Sequence, residues 1–255
     1  MSRIDPVKGD WTDLHTHILP DVDDGARSME MALELLRWQK QQGVERVILT
    51  PHFYSLREES VRFLERRNAA WNSLLSRWDK DTMPQLKLGA EVHYSAQLIE
   101  LDLRNLCLGD SRYLLLELSD TVTPAHIEQV ICRMLQQSVT PILAHIERCY
   151  YFRQEPDRLL RLIKIGALAQ VSTASLDDRE DKGFSKSCLQ NRMAQIVASD
   201  IHNLQHDKID MIRKTIYTQE ILLTRAELFA RAVWNNQSPP VFTAHPVKKA
   251  WLGYR

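Results

Sequence analysis

The stretch Thr12-Asp-Leu-His-Thr-His17 decides the fold, because it reads as a short strand that ends in a pair of histidines two residues apart. Residues i and i+2 of a strand point to the same side, so both imidazoles can reach one metal ion. The stretch Arg46-Val-Ile-Leu-Thr-Pro-His52 repeats the pattern, with an apolar run that ends in histidine. The sequence therefore predicts strands whose carboxyl ends carry metal-binding side chains.

Outward from this stretch, short apolar runs alternate with longer amphipathic ones. The predicted strands are Thr12–His17, Arg46–His52, Lys87–Val92, Tyr113–Leu118, Pro141–His145, Ala167–Ser172 and Ala194–Ser199. The predicted helices are Ser28–Gln42, Arg57–Trp78, Pro124–Gln137, Pro156–Ile165, Phe184–Gln190, Asp207–Tyr217 and Thr224–Trp234. Such alternation is typical of βαβ units and a mostly parallel sheet. Seven units favour a distorted (β/α)7 barrel in a single domain over residues 1–255, with function at the carboxyl ends of the strands.

The composition narrows the class of protein. The chain has 255 residues and a formal net charge of zero, without a long Lys/Arg run, which argues against a nucleic-acid partner. No apolar run has the length of a signal peptide or a membrane span, so we expect a cytoplasmic protein without membrane insertion. The four cysteines form no C-x-x-C pair and are expected to be buried free thiols.

Strand ends and one loop carry the chemistry. Six of the seven predicted strands end in His, Asp or Glu, and the loop after the first strand adds a further candidate ligand. The predicted metal ligands are His15, His17, Asp24, His52, Glu91, Glu117, His145, Asp200 and His202. So many carboxylates and imidazoles require cations if they share a small volume. The number of ligands predicts two to three ions with Glu91 as a bridge, and the mixed N and O donors favour Mn²⁺, Fe²⁺ or Zn²⁺.

The residues in these motifs resemble those of a known family. The stretches Asp13-Leu-His-Thr-His17, Asp21-Val-Asp-Asp-Gly25, Gly89-Ala-Glu91, His145-Ile-Glu-Arg148 and Ser199-Asp-Ile-His-Asn203 are similar to those of the PHP (polymerase and histidinol phosphatase) superfamily. Within it, they resemble the manganese-dependent protein-tyrosine phosphatases of bacterial capsule and exopolysaccharide loci (CpsB/CapC type). The resemblance implies a distorted (β/α)7 barrel, a trinuclear manganese site and hydrolysis of phosphotyrosine by a metal-activated hydroxide. The implied partner is an autophosphorylating bacterial tyrosine kinase.

The resemblance also implies roles for individual residues. Three overlapping ligand sets follow from it: His15, His17, Glu91 and Asp200; then Glu91, Glu117 and His145; then Asp24, His52 and His202. Arg148 matches the family arginine that binds phosphate, and we assign catalytic roles to Arg148, Glu91 and His52. One departure concerns a second arginine, which the family carries after the last motif. Here the chain reads Leu204-Gln-His-Asp-Lys208, so Lys208 or His206 would have to supply that charge without the guanidinium fork.

Four alternatives compete with this interpretation. A phosphatase for a small phosphomonoester such as histidinol phosphate would use the same ligands, and a 3′–5′ exonuclease is disfavoured by the neutral charge. A binding module without activity usually lacks ligands, and here none is missing. Cysteine-based phosphatase chemistry needs an arginine six residues after the nucleophile, and none of the four cysteines has one. Asp13 and Glu147 flank predicted ligands, and we expect them to orient those ligands. His93 lies two residues after Glu91 and is expected at the rim of the site or as a hydrogen-bond partner of a ligand.

Overall fold

The computed structural model describes residues 10–204, 220–250 and 253–254. Its strands are β1 (Trp11–Thr16), β2 (Val44–Leu49), β3 (His52–Phe53), β4 (Gln85–Leu88), β5 (Glu91–His93), β6 (Tyr113–Glu117), β7 (Thr140–Leu143), β8 (Leu168–Ser172), β9 (Ile196–Ala198), β10 (Lys249–Ala250) and β11 (Gly253–Tyr254). Strands β1 to β9 form two parallel sheets with the orders β1-β2-β4 and β3-β5-β6-β7-β8-β9. The prediction of a mostly parallel α/β fold is confirmed.

Two of the predicted strands are each divided in two. The predicted strand Arg46–His52 is β2 followed by β3, and Lys87–Val92 is β4 followed by β5, so the prediction of unbroken strands is wrong. Pro51 has no N–H group to continue the ladder. After β2 and again after β4, the polypeptide passes from the first sheet into the second. There β3 pairs with β5, and His52 lies opposite Glu91. The division therefore places two predicted ligands side by side.

The free edges of the two sheets also approach each other. Thr16, at the end of β1, forms an isolated parallel bridge with Ile201, which follows β9. Two backbone hydrogen bonds extend this contact, from Asp200 N to the His15 carbonyl (3.0 Å) and from His17 N to the Ile201 carbonyl (2.9 Å). The ends of the first and last parallel strands therefore lie next to each other, although far apart in sequence.

Helices connect the strands and cover the sheets. They are α1 (Met29–Gln41), α2 (Ser60–Leu75), α3 (Ile127–Gln136), α4 (Tyr150–Gln154), α5 (Pro156–Ile165), α6 (Lys182–Gln190) and α7 (Glu220–Trp234). The predicted start of α1 is confirmed, because the Ser28 side chain accepts a hydrogen bond from Met31 N (3.2 Å). Helix α3 begins later than predicted, at Ile127, because His126 before it has a left-handed backbone (φ +58°). The predicted helix Asp207–Tyr217 lies outside the described residues.

The buried side chains divide into two clusters. The larger one packs sheet residues against the outer helices, with Leu35 and Leu36 of α1 and Phe63 of α2 fully buried. The smaller one takes residues from six strands and from α7: Leu14, Ile48, Leu115, Ile142, Leu168, Ile196, Phe229 and Val233. Helix α7 therefore packs against an apolar cluster to which six strands contribute side chains. Within the described residues, no helix combines the length and the apolar character needed to cross a membrane.

Candidate metal centre

The structure brings all nine predicted ligands together, eight of them in or next to parallel strands and Asp24 in the loop between β1 and α1. His15 is in β1 and His17 follows it, His52 and Glu91 begin β3 and β5, and Glu117 ends β6. His145 follows β7, and the last two ligands follow β9. Of the seven strands predicted from the sequence, Ala167–Ser172, which is β8, is the one without a predicted ligand. These positions follow from strand direction, because parallel strands end at one edge of a sheet.

Glu91 lies at the centre of the cluster and is fully buried. Its Oε2 lies 3.1 Å from His15 Nε2, 3.2 Å from His17 Nε2 and 3.0 Å from His52 Nδ1. Its Oε1 lies 2.9 Å from His145 Nε2. Burial alone would raise the pKa of this carboxyl, but His15, His145 and His17 hold it well below its usual range. Glu91 is therefore a carboxylate that four imidazoles face, as expected for a bridging ligand.

Asp200 closes the cluster on the side of β9. Its Oδ1 lies 3.2 Å from His15 Nε2 and 3.3 Å from His17 Nε2, and its Oδ2 accepts a hydrogen bond from the Arg148 guanidinium. Burial would lower the pKa of Arg148, but the carboxylates of Asp200 and Glu147 outweigh it and raise that pKa. The guanidinium is therefore charged, and 43% of its side chain remains exposed.

The remaining ligands form two further groups. Asp24 Oδ1 lies 3.6 Å from His52 Nε2 and 3.5 Å from His202 Nε2, and the ring of His202 stacks on that of His17 at 3.9 Å. Glu117 lies 3.8 Å from His52 and 3.9 Å from His145 Nε2. Three sets of donor atoms are close enough to hold an ion each: His17, Asp24, His52 and His202; His15, His17 and Glu91; His52, Glu91 and Glu117.

The donor set fits divalent cations. The Nε2 atoms of His15 and His17 lie 3.0 Å apart and both face carboxylates, so they converge on one point. Glu91 Oε2 and His52 Nδ1 are buried and have no hydrogen-bond partner of suitable geometry. Buried polar atoms of this kind are costly unless a ligand satisfies them. Imidazole and carboxylate donors without a thiolate suit Mn²⁺, Fe²⁺ and Zn²⁺.

Two residues that support the ligands were missed by sequence reasoning. Asp23 Oδ2 lies 2.7 Å from His17 Nδ1 and also accepts from His52 N (3.1 Å). Burial would raise the pKa of Asp23, but the hydrogen bond and the charge of His17 lower it to about 2. Gln170 Oε1 accepts from His145 N (2.9 Å) and lies 3.3 Å from His15 Nδ1. Both residues thus hold the Nδ1 side of a histidine and leave Nε2 for the ion.

A signal for Gln170 was present in the sequence, since it is a polar residue inside the apolar run of β8. Asp23 has no comparable signal, because the adjacent Asp23 and Asp24 in this loop look alike in the sequence. The loop turns sharply at Gly25, where a Cβ would lie 1.9 Å from the His17 carbonyl oxygen. A glycine is therefore needed here for space, and the left-handed residue of this loop is Asp21 (φ +60°).

The residues predicted to orient ligands lie beside them. Asp13 is buried and accepts hydrogen bonds from Gln39 Nε2 (2.8 Å) and Ser199 N (3.0 Å), which ties the end of β1 to the loop after β9. Glu147 is buried and accepts from Ser172 N (3.0 Å). His93 Nδ1 lies 2.9 Å from Glu117 Oε2. Asp13 and Glu147 therefore fix the backbone around the ligands, while His93 holds a ligand carboxylate directly.

A cavity of about 270 Å³ opens beside Arg148. Its lining includes the predicted ligands Asp200 and His202 together with Thr173 and Trp38. A cavity next to both the cluster and a guanidinium can admit an anionic substrate group. Lys208 and His206, the candidates for the second cation, lie outside the described residues.

The cysteines take no part in this centre. Cys107, Cys149 and Cys188 are buried, whereas Cys132 is exposed, so the expectation of four buried thiols is wrong at one position. Burial raises the pKa of Cys107 and of Cys149 to about 12. Such thiols stay protonated at neutral pH and are poor nucleophiles.

Comparisons with known proteins agree with this geometry. Residues 11–222 match the model of the family described as "Capsular polysaccharide synthesis, CpsB/CapC". The chain is 31% identical to tyrosine-protein phosphatase YwqE of Bacillus subtilis, over 82% of each chain. It is 30% identical to tyrosine-protein phosphatase CpsB of Streptococcus pneumoniae, over 75% of this chain and 83% of that protein.

A solved structure extends the comparison to the fold. It comes from crystal structures of YwqE from Bacillus subtilis and CpsB from Streptococcus pneumoniae, described as unique metal-dependent tyrosine phosphatases. It superposes with a TM-score of 0.78 at 25% identity, over 93% of this chain and 99% of that one. With a family match over most of its length and relatives of 30% identity or more, the chain belongs to the CpsB/CapC family.

Proposed function

We propose that this chain is a metal-dependent protein-tyrosine phosphatase, a phosphoric monoester hydrolase that acts on phosphotyrosine in a partner protein. The observation that carries the proposal is the buried Glu91 carboxylate, faced by four imidazoles and lying next to the Asp200–Arg148 pair. Its relatives YwqE and CpsB are named tyrosine-protein phosphatases, and the family is linked to capsular polysaccharide synthesis.

The centre would hold two to three divalent ions, with Mn²⁺ as the proposed metal. His15, His17, Glu91 and Asp200 would hold the first, Glu91, Glu117 and His145 the second, and Asp24, His52 and His202 the third. The three groups of donor atoms, which overlap at Glu91, His17 and His52, support this arrangement. When bound, such ions activate a water molecule and neutralise the phosphoryl oxygens.

Arg148 supplies a permanent positive charge at the same place. One guanidinium nitrogen binds Asp200, and the remaining N–H groups of the planar fork can donate to phosphoryl oxygens. The partly exposed side chain borders the cavity through which a phosphate would enter. Electrostatic stabilisation of the transferring phosphoryl group is the main source of rate enhancement in such reactions.

The proposal extends to the fold and the cellular setting. The contact between β1 and the end of β9, together with the inner cluster of six strands, supports a distorted (β/α)7 barrel of PHP type in one domain. The proposed substrate is an autophosphorylating bacterial tyrosine kinase that controls capsule or exopolysaccharide synthesis. The proposed location is the cytoplasm.

The test is a steady-state comparison of three substrates with the Mn²⁺-loaded protein. A phosphotyrosine peptide should have a higher kcat/KM than the matched phosphoserine peptide or histidinol phosphate. If histidinol phosphate has the highest kcat/KM, the assignment to protein tyrosine is wrong while the metal centre stands. If none of the three is hydrolysed, the phosphatase proposal itself fails.

A further inference from the structure

Tyr54 occupies the outer rim of the metal centre and has no role so far. It follows β3, two residues after His52, and its ring centroid lies 5.4 Å from the ring of His52 and 5.2 Å from that of His93. Glu91 is fully buried, whereas His52 and Tyr54 are both partly exposed. Tyr54 therefore lies beside the centre at a position that solvent reaches, next to His93, which contacts Glu117.

The Tyr54 ring contacts two histidines that themselves contact carboxylates of the centre: His52 Nδ1 lies 3.0 Å from Glu91 Oε2, and His93 Nδ1 lies 2.9 Å from Glu117 Oε2. A tyrosine hydroxyl, with an ordinary pKa of about 10, carries its proton at neutral pH and can donate a hydrogen bond. Among the described residues the Tyr54 hydroxyl donates none, whereas the nearby Tyr94 hydroxyl donates to the Ala125 carbonyl oxygen.

Arg57 and the local backbone hold Tyr54 in place. The carbonyl oxygen of Tyr54 accepts hydrogen bonds from Arg57 N (2.8 Å) and Glu58 N (3.2 Å), which closes one tight turn. The guanidinium carbon of Arg57 lies 4.6 Å from the centroid of the Tyr54 ring, in cation–π geometry. Glu58 itself pairs with Arg66 (2.8 Å), so Arg57 is left to the ring.

We propose that the Tyr54 hydroxyl donates a hydrogen bond to the ester oxygen of the bound phosphotyrosine, and that Arg57 is a positioning residue for Tyr54. The inference rests on the proposed function. The non-bridging phosphoryl oxygens face the deep donors and Arg148. The ester oxygen and its aromatic ring must point outward, because the rest of the substrate protein stays in solvent. A donor at the half-buried rim is therefore placed for the ester oxygen.

The chemistry needs no proton from Tyr54. Water attacks phosphorus and releases one proton to solvent, the bond between phosphorus and the ester oxygen breaks, and the tyrosine leaves as a phenolate with the electron pair of that bond. The hydrogen bond from Tyr54 stabilises the charge that develops on this oxygen. The phenolate, whose conjugate acid has a pKa of about 10, then takes a proton from solvent.

The experiment compares Tyr54→Phe with the parent protein on aryl phosphates of graded leaving group. The substrates are a phosphotyrosine peptide, phenyl phosphate, 4-nitrophenyl phosphate and 2,4-dinitrophenyl phosphate. Tyr54→Phe should lower kcat about 10- to 100-fold for the first two, since they expel the most basic phenolates. The loss should shrink to less than about threefold for the dinitrophenyl ester, whose leaving group needs no hydrogen bond.

Control variants separate this role from a structural one. Tyr94→Phe should match the parent on all four substrates, and bound metal should be unchanged in every variant. Arg57→Ala should give a smaller loss with the same dependence on leaving group, and Arg57→Lys should recover part of it. Equal losses on all four esters, or no loss in Tyr54→Phe while the parent hydrolyses phosphotyrosine, would overturn the inference. A parent without phosphotyrosine hydrolysis would instead overturn the proposed function.

Discussion

Two clusters of charge lie at the two ends of β1, and they balance their charges in different ways. At the amino-terminal end, Glu227 of α7 accepts from Thr12 N and Thr12 Oγ1 (both 2.9 Å) and from Arg231 Nε (2.9 Å). Arg46 contacts both Glu227 (3.2 Å) and Asp10 (2.6 Å). Two arginines thus face two carboxylates, so the chain neutralises this cluster with its own residues.

At the carboxyl-terminal end of β1, the described arginines do not balance the negative charge of the carboxylates. Asp24, Glu91, Glu117 and Asp200 gather around five imidazoles, and Arg148 is the one arginine with an ion pair to these four carboxylates within the described residues. In the absence of ions, burial would lower the pKa of His17, but Asp200, Asp23 and Glu91 raise it well above its usual range. The cluster around Glu91 has more carboxylates than cationic side chains, and some of its donor atoms have no partner, so it suits the binding of external cations. The cluster around Glu227, in which arginines and carboxylates are matched in number, contributes to stability instead. We call the first the open cluster and the second the matched cluster.

The largest expected effect is that of removing the cations from the open cluster. Exhaustive chelation should lower phosphatase activity more than about 1000-fold, and Mn²⁺ should restore it, because the ions neutralise the phosphoryl oxygens. Metal analysis of the purified protein should give two to three ions per chain. Glu91→Gln should lower both metal content and activity, while Glu34→Gln on the exposed face of α1 should change neither. Full activity after chelation would contradict the distinction between the two clusters.

The second effect concerns the permanent charge in the open cluster. Arg148→Ala should lower kcat/KM for a phosphotyrosine peptide by roughly 30- to 1000-fold, or about 2–4 kcal/mol of transition-state stabilisation. Bound metal should stay within the parent range, because Arg148 is not among the residues whose donor atoms would hold an ion. Arg148→Lys should recover only part of the rate, since a point charge lacks the planar fork. An Arg148→Ala protein that has lost its metal would show that the arginine acts through Asp200 alone.

Sequence patterns predicted the donors better than their supports. The ligands follow apolar runs, so strand periodicity and βαβ order were enough to predict that His15, Glu91 and His145 meet. The division of two strands at Pro51 and Gly89 was missed, because a change of sheet leaves no mark on hydrophobic periodicity. Gln170 and Asp23 were missed because their role depends on which nitrogen of a histidine faces inward, and only three-dimensional geometry determines that.

The third effect tests one of these supports. Asp23→Asn should weaken metal affinity about 10- to 100-fold, because the Asp23 carboxylate holds His17 Nδ1 and makes Nε2 a better donor. Asp21→Asn is the matched control, since it removes the same charge two residues earlier at an exposed position. Affinity can be measured by titration against a competing chelator. Equal affinities of the two variants would mean that the loop contributes charge alone.

The smallest effect on activity is expected for the matched cluster around Glu227. Substitutions there should instead lower the free energy of unfolding. Glu227→Ala leaves Arg46, Arg231 and Thr12 without their shared acceptor, and the Glu227 side chain is only 11% exposed. Removing one partner of a buried pair is strongly destabilising, and exposure of Arg231 reduces the cost here to about 2–3 kcal/mol of unfolding free energy. Denaturant titration measures this loss, and Glu227→Gln, which keeps an acceptor for Thr12, should lose less. The kcat/KM per folded molecule should stay within about twofold of the parent, because this cluster contacts neither metal ligands nor Arg148. A larger fall in activity at unchanged stability would mean that the two ends of β1 are coupled, and that charge balance at one end sets the geometry of the other.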